Sequence, residues 1–397
     1  MSLPVTDRAG AVVGLSDAAR MIPGRETTED MGRVDVGPDG GEFIDVKTET
    51  VITDWDDVFR HFNLDPSAFS IVSDTVRISN WQQSRRLENG DRDVVDLFAY
   101  RARFIRKAHA IDLPALYAEV ARTKRPKPLK AGREVTLVVC WADVQAGKVD
   151  RLGGVPELLA RLEEKRAELE QHIRRVKPNH IVIADVGDIV EGIENTSSQL
   201  ATNGLAITDQ VDVAATEFWK AIRLCAKYAR TDVLSIPSNH AQLRRGKGLI
   251  GKPTDDWGLH ISKRLEAMNA EVGLPVTFHR PADWEETLTF DVRGTRLGLA
   301  HGHQASNPNA VVTWWAKMTH AGVMDCDVLL TGHFHFASVR PSGRSPVTGK
   351  SRWHIQAPTI DNGSAWVRNQ FGEDGDPALM VFEIDSDGFA LKGLAAL

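Results

Sequence analysis

Short clusters of Asp, Asn, Gln and His punctuate the chain from residue 143 onward. They are Asp143-Val-Gln145, Gly187-Asp188, Asn239-His240, His301-Gly-His303 and Gly332-His333-Phe-His335. Each directly follows an apolar run that reads as a buried strand. Singly they say little: Gly-Asp is an ordinary turn, Asn-His an ordinary dipeptide, and the imidazoles of His-Gly-His can be satisfied by solvent. The Gly-His-Phe-His run after Val328-Leu-Leu-Thr331 says more. Strand alternation would put both imidazoles on one face, a costly place for two polar rings unless something binds them. As an ordered set, mixed Asp, Asn and His donors suit a hard-to-borderline divalent ion such as manganese, iron or zinc.

The elements that must position these residues are legible. VTLVVCWAD, HIVIADVGD and DVLSIPSNH are apolar runs ending in polar clusters, and VPELLARLEEKRAELEQHIRRV and VAATEFWKAIRLCAKYAR between them have helical periodicity. Strand–helix alternation predicts an α/β layered domain with its site at the strand C-termini. TLTFDVRGTRLGLAHGH, DVLLTGHFHFASV, RWHIQAP and ALMVFEIDSDGFALKG predict hairpin-connected strands of a second sheet packed on the first. The expected fold class is therefore α/β (α+β layered), two mixed β-sheets sandwiched with flanking helices, plus a small N-terminal α+β module.

Four segments are expected. Residues 1–48, rich in Gly, Asp, Glu and Thr, predict an extended or disordered arm. Residues 49–118 predict the module: a helix after Asp54, strand-like alternation through DPSAFSIVSDTVRISNWQQS, and a second helix through DVVDLFAYRARFIRKAHA. Residues 119–132, a Lys/Arg/Pro run, predict a solvated linker, with phosphate contact as the sharper reading. Residues 133–397 predict the layered domain that carries the polar clusters.

The formal net charge of -6 argues against a wholly basic nucleic-acid binder but not against a local basic groove. Cys140, Cys225 and Cys326 are far apart and form no CxxC pair, which predicts reduced, buried thiols. The N-terminus lacks the pattern of a signal peptide, no apolar run is long enough for a membrane helix, and the expected location is cytoplasmic, without membrane partners.

The ordered set DVQ, GDIVE, SNHAQ, HGH and GHFH resembles the calcineurin-like metallophosphoesterase superfamily, whose pattern runs DxH, GDxx(D/E), GNH(D/E), an HGH-type histidine and GHxH. The resemblance covers residues 133 to 390, and implies a four-layer metallophosphoesterase fold and a hydrolase of phosphoesters. It implies one metal held by Asp143, Gln145, Asp188 and His335, and a second held by Asp188, Asn239, His301 and His333. Two divalent ions about 3.5–4 Å apart would clamp a phosphoryl group and activate water. Manganese is the expected ion, with Fe²⁺, Zn²⁺ or Mg²⁺ as alternatives. His240 matches the family's general acid. His303 and Glu191 are expected behind the ligands, with an exposed turn and a helix-start acid as their bland readings. The chain departs from the pattern in three ways. Gln145 replaces a His, Ser238 replaces a Gly, and the acid sometimes found after Asn-His is absent.

Arg244, Arg245, Lys247 and Lys252 follow His240, and Lys148 follows the first motif. Either they are a solvated loop or they contact substrate phosphates. Trp257, Trp314, Trp315 and Trp366 are expected in a core or subunit interface, with base stacking as the alternative. The basic loop and the N-terminal module are similar to those of DNA-repair exonucleases and bacteriophage-coded members. That resemblance implies exonuclease-like hydrolysis of DNA or RNA, in the host cytoplasm if phage-coded. The alternatives are a small-nucleotide phosphodiesterase or phosphatase, and a silent scaffold. Homodimerisation is left open.

Overall fold

A computed structural model describes residues 32–37, 40–66, 69–86, 91–106, 132–196, 199–245, 248–346, 348–372, 375–389 and 391–397. The chain divides into two compact units, Met1–Ala110 and Ile111–Leu397. The basic linker at 119–132 lies, but for Gly132, outside the described residues, as does Lys247.

Among its described residues, the first unit is an antiparallel sheet with one α-helix. Its strands are β1 (Arg33–Gly37), β2 (Gly40–Thr48), β3 (Phe69–Ile71), β4 (Arg77–Arg86) and β5 (Arg92–Arg106), and α1 is Trp55–His61. β5 pairs with β2, β3 and β4. Asp54 caps α1 through the Asp56 N–H at 2.9 Å. Phe43 packs on Trp55, Phe59, Phe62 and Phe104, with ring centroids 4.7–5.9 Å apart.

Two expectations are corrected in this unit. The helix expected through 93–110 is strand β5 as far as Arg106. Tyr100, Ala102 and Phe104 are buried while Arg101, Arg103 and Ile105 are exposed, a period of two. The clustered Val94, Val95, Leu97 and Phe98 imitated helical spacing, and pairing with three strands overrode it. The arm expected over 1–48 carries β1 and β2 from residue 33 onward. Val34, Phe43 and Val46 enter the core there, across a bulge where Asp45 takes φ 54°.

The described residues of the second unit open with β6 (Arg133–Trp141), α2 (Val155–Val176), β7 (Pro178–Asp185), α3 (Gln199–Thr202), α4 (Ile207–Ala226) and β8 (Arg230–Ser235). There follow β9 (Arg244–Arg245), β10 (Gly248–Leu249), α5 (Trp257–Val272) and β11 (Val276–His279). β6, β7, β8 and β11 run parallel in one sheet. The second sheet contains β12 (Leu288–Val292), β13 (Thr295–Leu299), β14 (Val328–Thr331), β15 (Ser338–Arg344) and β16 (Ser351–Gln356), in the order β12-β13-β14-β16-β15. α6 (Val311–His320) lies between β13 and β14 in the chain, and α7 (Ala365–Phe371) follows β16.

Alternation along β6 explains the layers. Leu137, Val139 and Trp141 join a core with Leu158 and Leu162 of α2 and Phe218 and Ile222 of α4. Val138 and Cys140 face the other way, into a core shared with Leu297, Leu299, Val328 and Leu330 of the second sheet. Leu329, on the far face of β14, packs with Val311 and Trp315 of α6. Helices, sheet, sheet and helix thus stack as layers, and the expected class of two mixed sheets with flanking helices is what the chain adopts. All three cysteines are free and buried.

The expected hairpin-connected second sheet is only partly right. β12–β13 and β15–β16 are antiparallel, but β13–β14 and β14–β16 are parallel. ALMVFEID forms β17 (Met380–Asp385), which pairs antiparallel with β6 of the first sheet. β18 (Gly388–Phe389) and β19 (Ala395–Ala396) pair with β17. Among the described residues, no helix is long and apolar enough to cross a membrane.

Candidate metal centre

The five polar clusters follow β6, β7, β8, β13 and β14, and the two sheets bring these ends together. The ring of His301 bridges them: Nδ1 lies 2.8 Å from the Val186 carbonyl oxygen after β7, and Nε2 lies 3.0 Å from Asp188 Oδ2. The His333 N–H donates to both Asp143 oxygens, at 3.1 and 3.0 Å. The loops meet tightly enough that a Cβ on Gly332 would sit 2.4 Å from Asp143 Oδ2.

Backbone strain concentrates here. Asp143, Gln145, Asp188, His333 and His335 all take left-handed φ, between 43° and 70°. Such conformations cost non-glycine residues about 1–3 kcal/mol each and gather where structure serves a site. His333 and His335 therefore do not alternate on a strand as expected. They follow β14 in a loop, with the buried Phe334 between them in the core beneath α6.

The ligand atoms of Asp188, His301 and His333 lie within 4.8 Å of one another. Asp188 Oδ2, Asn239 Oδ1 and His301 Nε2 are buried and lack a hydrogen-bond partner. His301 donates from Nδ1 to the Val186 carbonyl, which leaves the Nε2 lone pair toward Asp188. Buried acceptors without donors are costly, and a cation among them removes that cost. The fit to a divalent ion is good at this group.

The electrostatics agree. Burial pushes the Asp143 carboxyl up to about 8. Burial also opposes charge on Asp188, but His301 and His240 beside it hold it well below the usual range. For His301, burial is outweighed by Asp188 and Asp143, which raise it to about 8. The field that holds a proton there is one that would also hold a metal cation. Burial and His301 hold His333 well below its ordinary value, leaving that ring neutral.

His240 sits at the edge, 4.0 Å from Asp188 through Nε2. Its Nδ1 lies 2.9 Å from the Glu191 carbonyl oxygen and 3.2 Å from Glu191 Oε2. The amide nitrogens of Gln145 and Gln199 also face Nδ1, at 3.3 and 3.1 Å. Burial opposes protonation of the ring, but Asp188 and Glu191 outweigh it and raise His240 to about 9. Glu191 is buried and also accepts from Thr202 Oγ1 at 2.7 Å, so it stands behind the site and is not a helix-start acid.

His303 is largely buried, with Nε2 3.2 Å from Arg244 Nη2 and 3.9 Å from Glu286 Oε2. Burial, with His301 and Arg244 nearby, pushes it down to about 3. Arg244 is thus brought to the rim, while Arg245, the next residue of β9, points into solvent. Lys148, expected to face substrate, is buried instead. Its Nζ donates to Gln145 Oε1 at 2.7 Å and pairs with Asp361 Oδ2 at 2.6 Å. Lys252 pairs with Asp283 at 2.6 Å. Trp257, Trp314 and Trp315 pack in or against cores, whereas Trp366 is 47% exposed with its ring 5.7 Å from that of His333.

Several residues escaped the sequence reading. Asp361, fully buried, lies 3.5 Å from His335 Nδ1. Thr359 donates to the Asp143 carbonyl at 2.7 Å. Asn195 Nδ2 donates to the carbonyls of Asn239, His240 and Gln242 at 2.8–2.9 Å. Ser238, read as a mild departure, accepts the Asp188 N–H on its Oγ at 2.7 Å, and its own N–H donates to Asp256 at 3.0 Å. The signal for Asp361 was present: Pro-Thr-Ile-Asp-Asn-Gly follows an apolar strand run as the other clusters do.

No family model matches the chain. No curated protein matches it either. Among solved structures the chain is similar to Vps29 of Entamoeba histolytica complexed with zinc, at 13% identity over 66% of this chain and 97% of that one, with a TM-score of 0.30. Vacuolar Protein Sorting 29 of Cryptosporidium parvum gives 13% identity over 66% and 96%, TM-score 0.30. A metallophosphoesterase of Sphaerobacter thermophilus gives 14% over 66% and 88%, TM-score 0.30. Likeness at this level carries no argument, so the fold rests on the strand order above and the site on its own geometry.

Proposed function

We propose that this chain is a metal-dependent phosphoesterase that hydrolyses phosphodiester bonds, with nucleic acid as its substrate class. The observation that carries the reading is the group of Asp188, His301 and His333 ligand atoms within 4.8 Å of one another, with Asp188 Oδ2, His301 Nε2 and the neighbouring loop's Asn239 Oδ1 all buried and unpartnered. Asp188, Asn239, His301 and His333 would hold the ion. When bound, a divalent ion there supplies Lewis acidity toward a phosphoryl oxygen and toward water.

The chain's own groups do the rest. Glu191 engages His240 from the Nδ1 side, so Nε2, which faces Asp188, is the atom that hands a proton to the leaving oxygen. The backbone N–H of His240 donates to Asp188 Oδ1 at 3.0 Å, fixing acid and ligand in one frame. Arg244, held by Gln242 Oε1 at 2.8 Å, presents a guanidinium beside His303 for a substrate phosphate. The exposed Trp366 beside His333 favours a substrate with an aromatic base.

Hydrolysis of bis-p-nitrophenyl phosphate by the full-length chain in Mn²⁺ tests the reading. Turnover is expected, with loss in Asp188→Ala and a fall of about 10²–10⁴-fold in His240→Ala. Metal uptake without turnover on any diester would instead leave a scaffold. A panel of single- and double-stranded DNA, RNA and cyclic nucleotides assigns the substrate. A polymer held through several phosphates should lose affinity steeply with salt, and a small nucleotide should not.

A further inference from the structure

The residues expected to hold two ions fall into unlike halves. In one, the donor atoms of Asp188, Asn239 and His301 have no hydrogen-bond partner. In the other, His335 Nδ1 is likewise without a partner, but the oxygens of Asp143 and Gln145 are engaged. Both oxygens of Asp143 accept the His333 N–H, and Gln145 Oε1 accepts from Lys148. Among the described residues, the one group of three or more acidic, Cys or His ligand atoms within 4.8 Å of one another is Asp188, His301 and His333. Asp143 and His335 approach each other at 3.5 Å but enter no such group.

We propose that the centre takes a single divalent ion, at Asp188, Asn239, His301 and His333, and that the buried Lys148 ammonium replaces the second. The inference rests on the metal-dependent reading above and fixes its stoichiometry.

Gln145 and Lys148 explain each other. An ammonium offers only N–H donors, so it fixes the amide with its oxygen toward Lys148 and its nitrogen toward His240 Nδ1, 3.3 Å away. The atom that would ligate an ion is thus aimed at a cation already present. An imidazole at this position would have offered a lone pair to a metal, and it could not accept from the ammonium and bind a metal through the same nitrogen. The neutral amide and the cation belong together.

The ammonium is also locked in place. Its side chain is 6% exposed and its partner Asp361 is fully buried. Asn362 Nδ2 donates to the Lys148 carbonyl at 2.8 Å, while Arg161 donates to the Asp361 carbonyl at 2.9 Å. Lys148 cannot swing toward solvent without stranding a buried carboxylate. A divalent ion on Gln145 would sit within a few ångströms of this charge, with almost no water to screen it. Lys148 is therefore a positioning residue: it neutralises Asp361, orients Gln145 beside His240, and keeps a fixed positive charge on the Asp143 side.

Equilibrium dialysis of the chelator-stripped full-length chain against excess Mn²⁺, with metal per chain read by mass spectrometry and the spin state by electron paramagnetic resonance, tests this. The expected result is one Mn²⁺ per chain with the signal of an isolated ion. Two per chain with a spin-coupled signal overturns the single-ion proposal and leaves the metal-dependent reading standing. No Mn²⁺ at all overturns both. Gln145→His combined with Lys148→Ala, checked for folding by circular dichroism, should raise the count from one to two. A folded variant that stays at one shows that Lys148 is not what excludes the second ion.

Discussion

Lys148→Met keeps most of the aliphatic stem and removes the charge, so it isolates what the ammonium does. In the native chain Nζ lies 2.6 Å from Asp361 Oδ2 and 2.7 Å from Gln145 Oε1, in a pair whose side chains are 6% and 0% exposed. Removing one partner of a buried pair leaves the other charge uncompensated and costs about 3–5 kcal/mol. His335, 3.5 Å from Asp361, offers the abandoned carboxylate some relief, which favours the lower end of that range. At roughly 2–4 °C per kcal/mol, a loss of about 3 kcal/mol lowers Tm by roughly 6–12 °C. Scanning calorimetry of metal-free wild type and variant measures it. Asp361→Asn in the Lys148→Met background should recover much of the loss, giving a coupling of about 2 kcal/mol in the double-mutant cycle. A drop below about 2 °C, or single losses that simply add, would refute the buried pair as the organiser of this half of the site.

Gly332→Ala drives a methyl group against Asp143 Oδ2, 2.4 Å away, so weaker Mn²⁺ retention and lower turnover are expected, read by dialysis and diester hydrolysis. Asp256→Ala removes the cap of α5, at 2.9 Å from the Leu259 N–H, and orphans the Ser238 N–H. It should cost about 2–4 kcal/mol in denaturant unfolding and loosen the Asn239 loop. Although burial works against its charge, Asp232 is held below its ordinary 3.8 by hydrogen bonds from His180 and His279. Its contribution is thus present above pH 3.8 and lost as pH falls through the lowered value, so acid unfolding of Asp232→Asn should be less steep there than that of wild type.

Much of the site was legible because its residues close apolar strands, and parallel strands deliver their C-terminal ends to one place. Asp188, His301 and His333 could be chosen from type and position alone. Lys148 could not. A lysine three residues after a motif reads as a substrate contact, and only the burial of Asp361, more than two hundred residues later, shows it turned inward. Ser238 looked incidental because its role is a hydrogen bond to the Asp188 backbone across the sheet. In the first unit, β5 carries apolar residues at mixed spacing, and its pairing with three strands, which no local pattern encodes, decided its conformation. The second sheet was misjudged for a like reason: ALMVFEID pairs with β6 across a sequence distance that periodicity cannot see.

The central claim is that Asp188, Asn239, His301 and His333 hold a divalent ion. Crystals of the full-length chain grown with Mn²⁺, with anomalous scattering recorded at the manganese edge, test it most directly. The account predicts a peak at about 2.0–2.4 Å from Asp188 Oδ2, Asn239 Oδ1 and His301 Nε2. A centre without a peak at saturating Mn²⁺, or an ion bound only elsewhere, would contradict it.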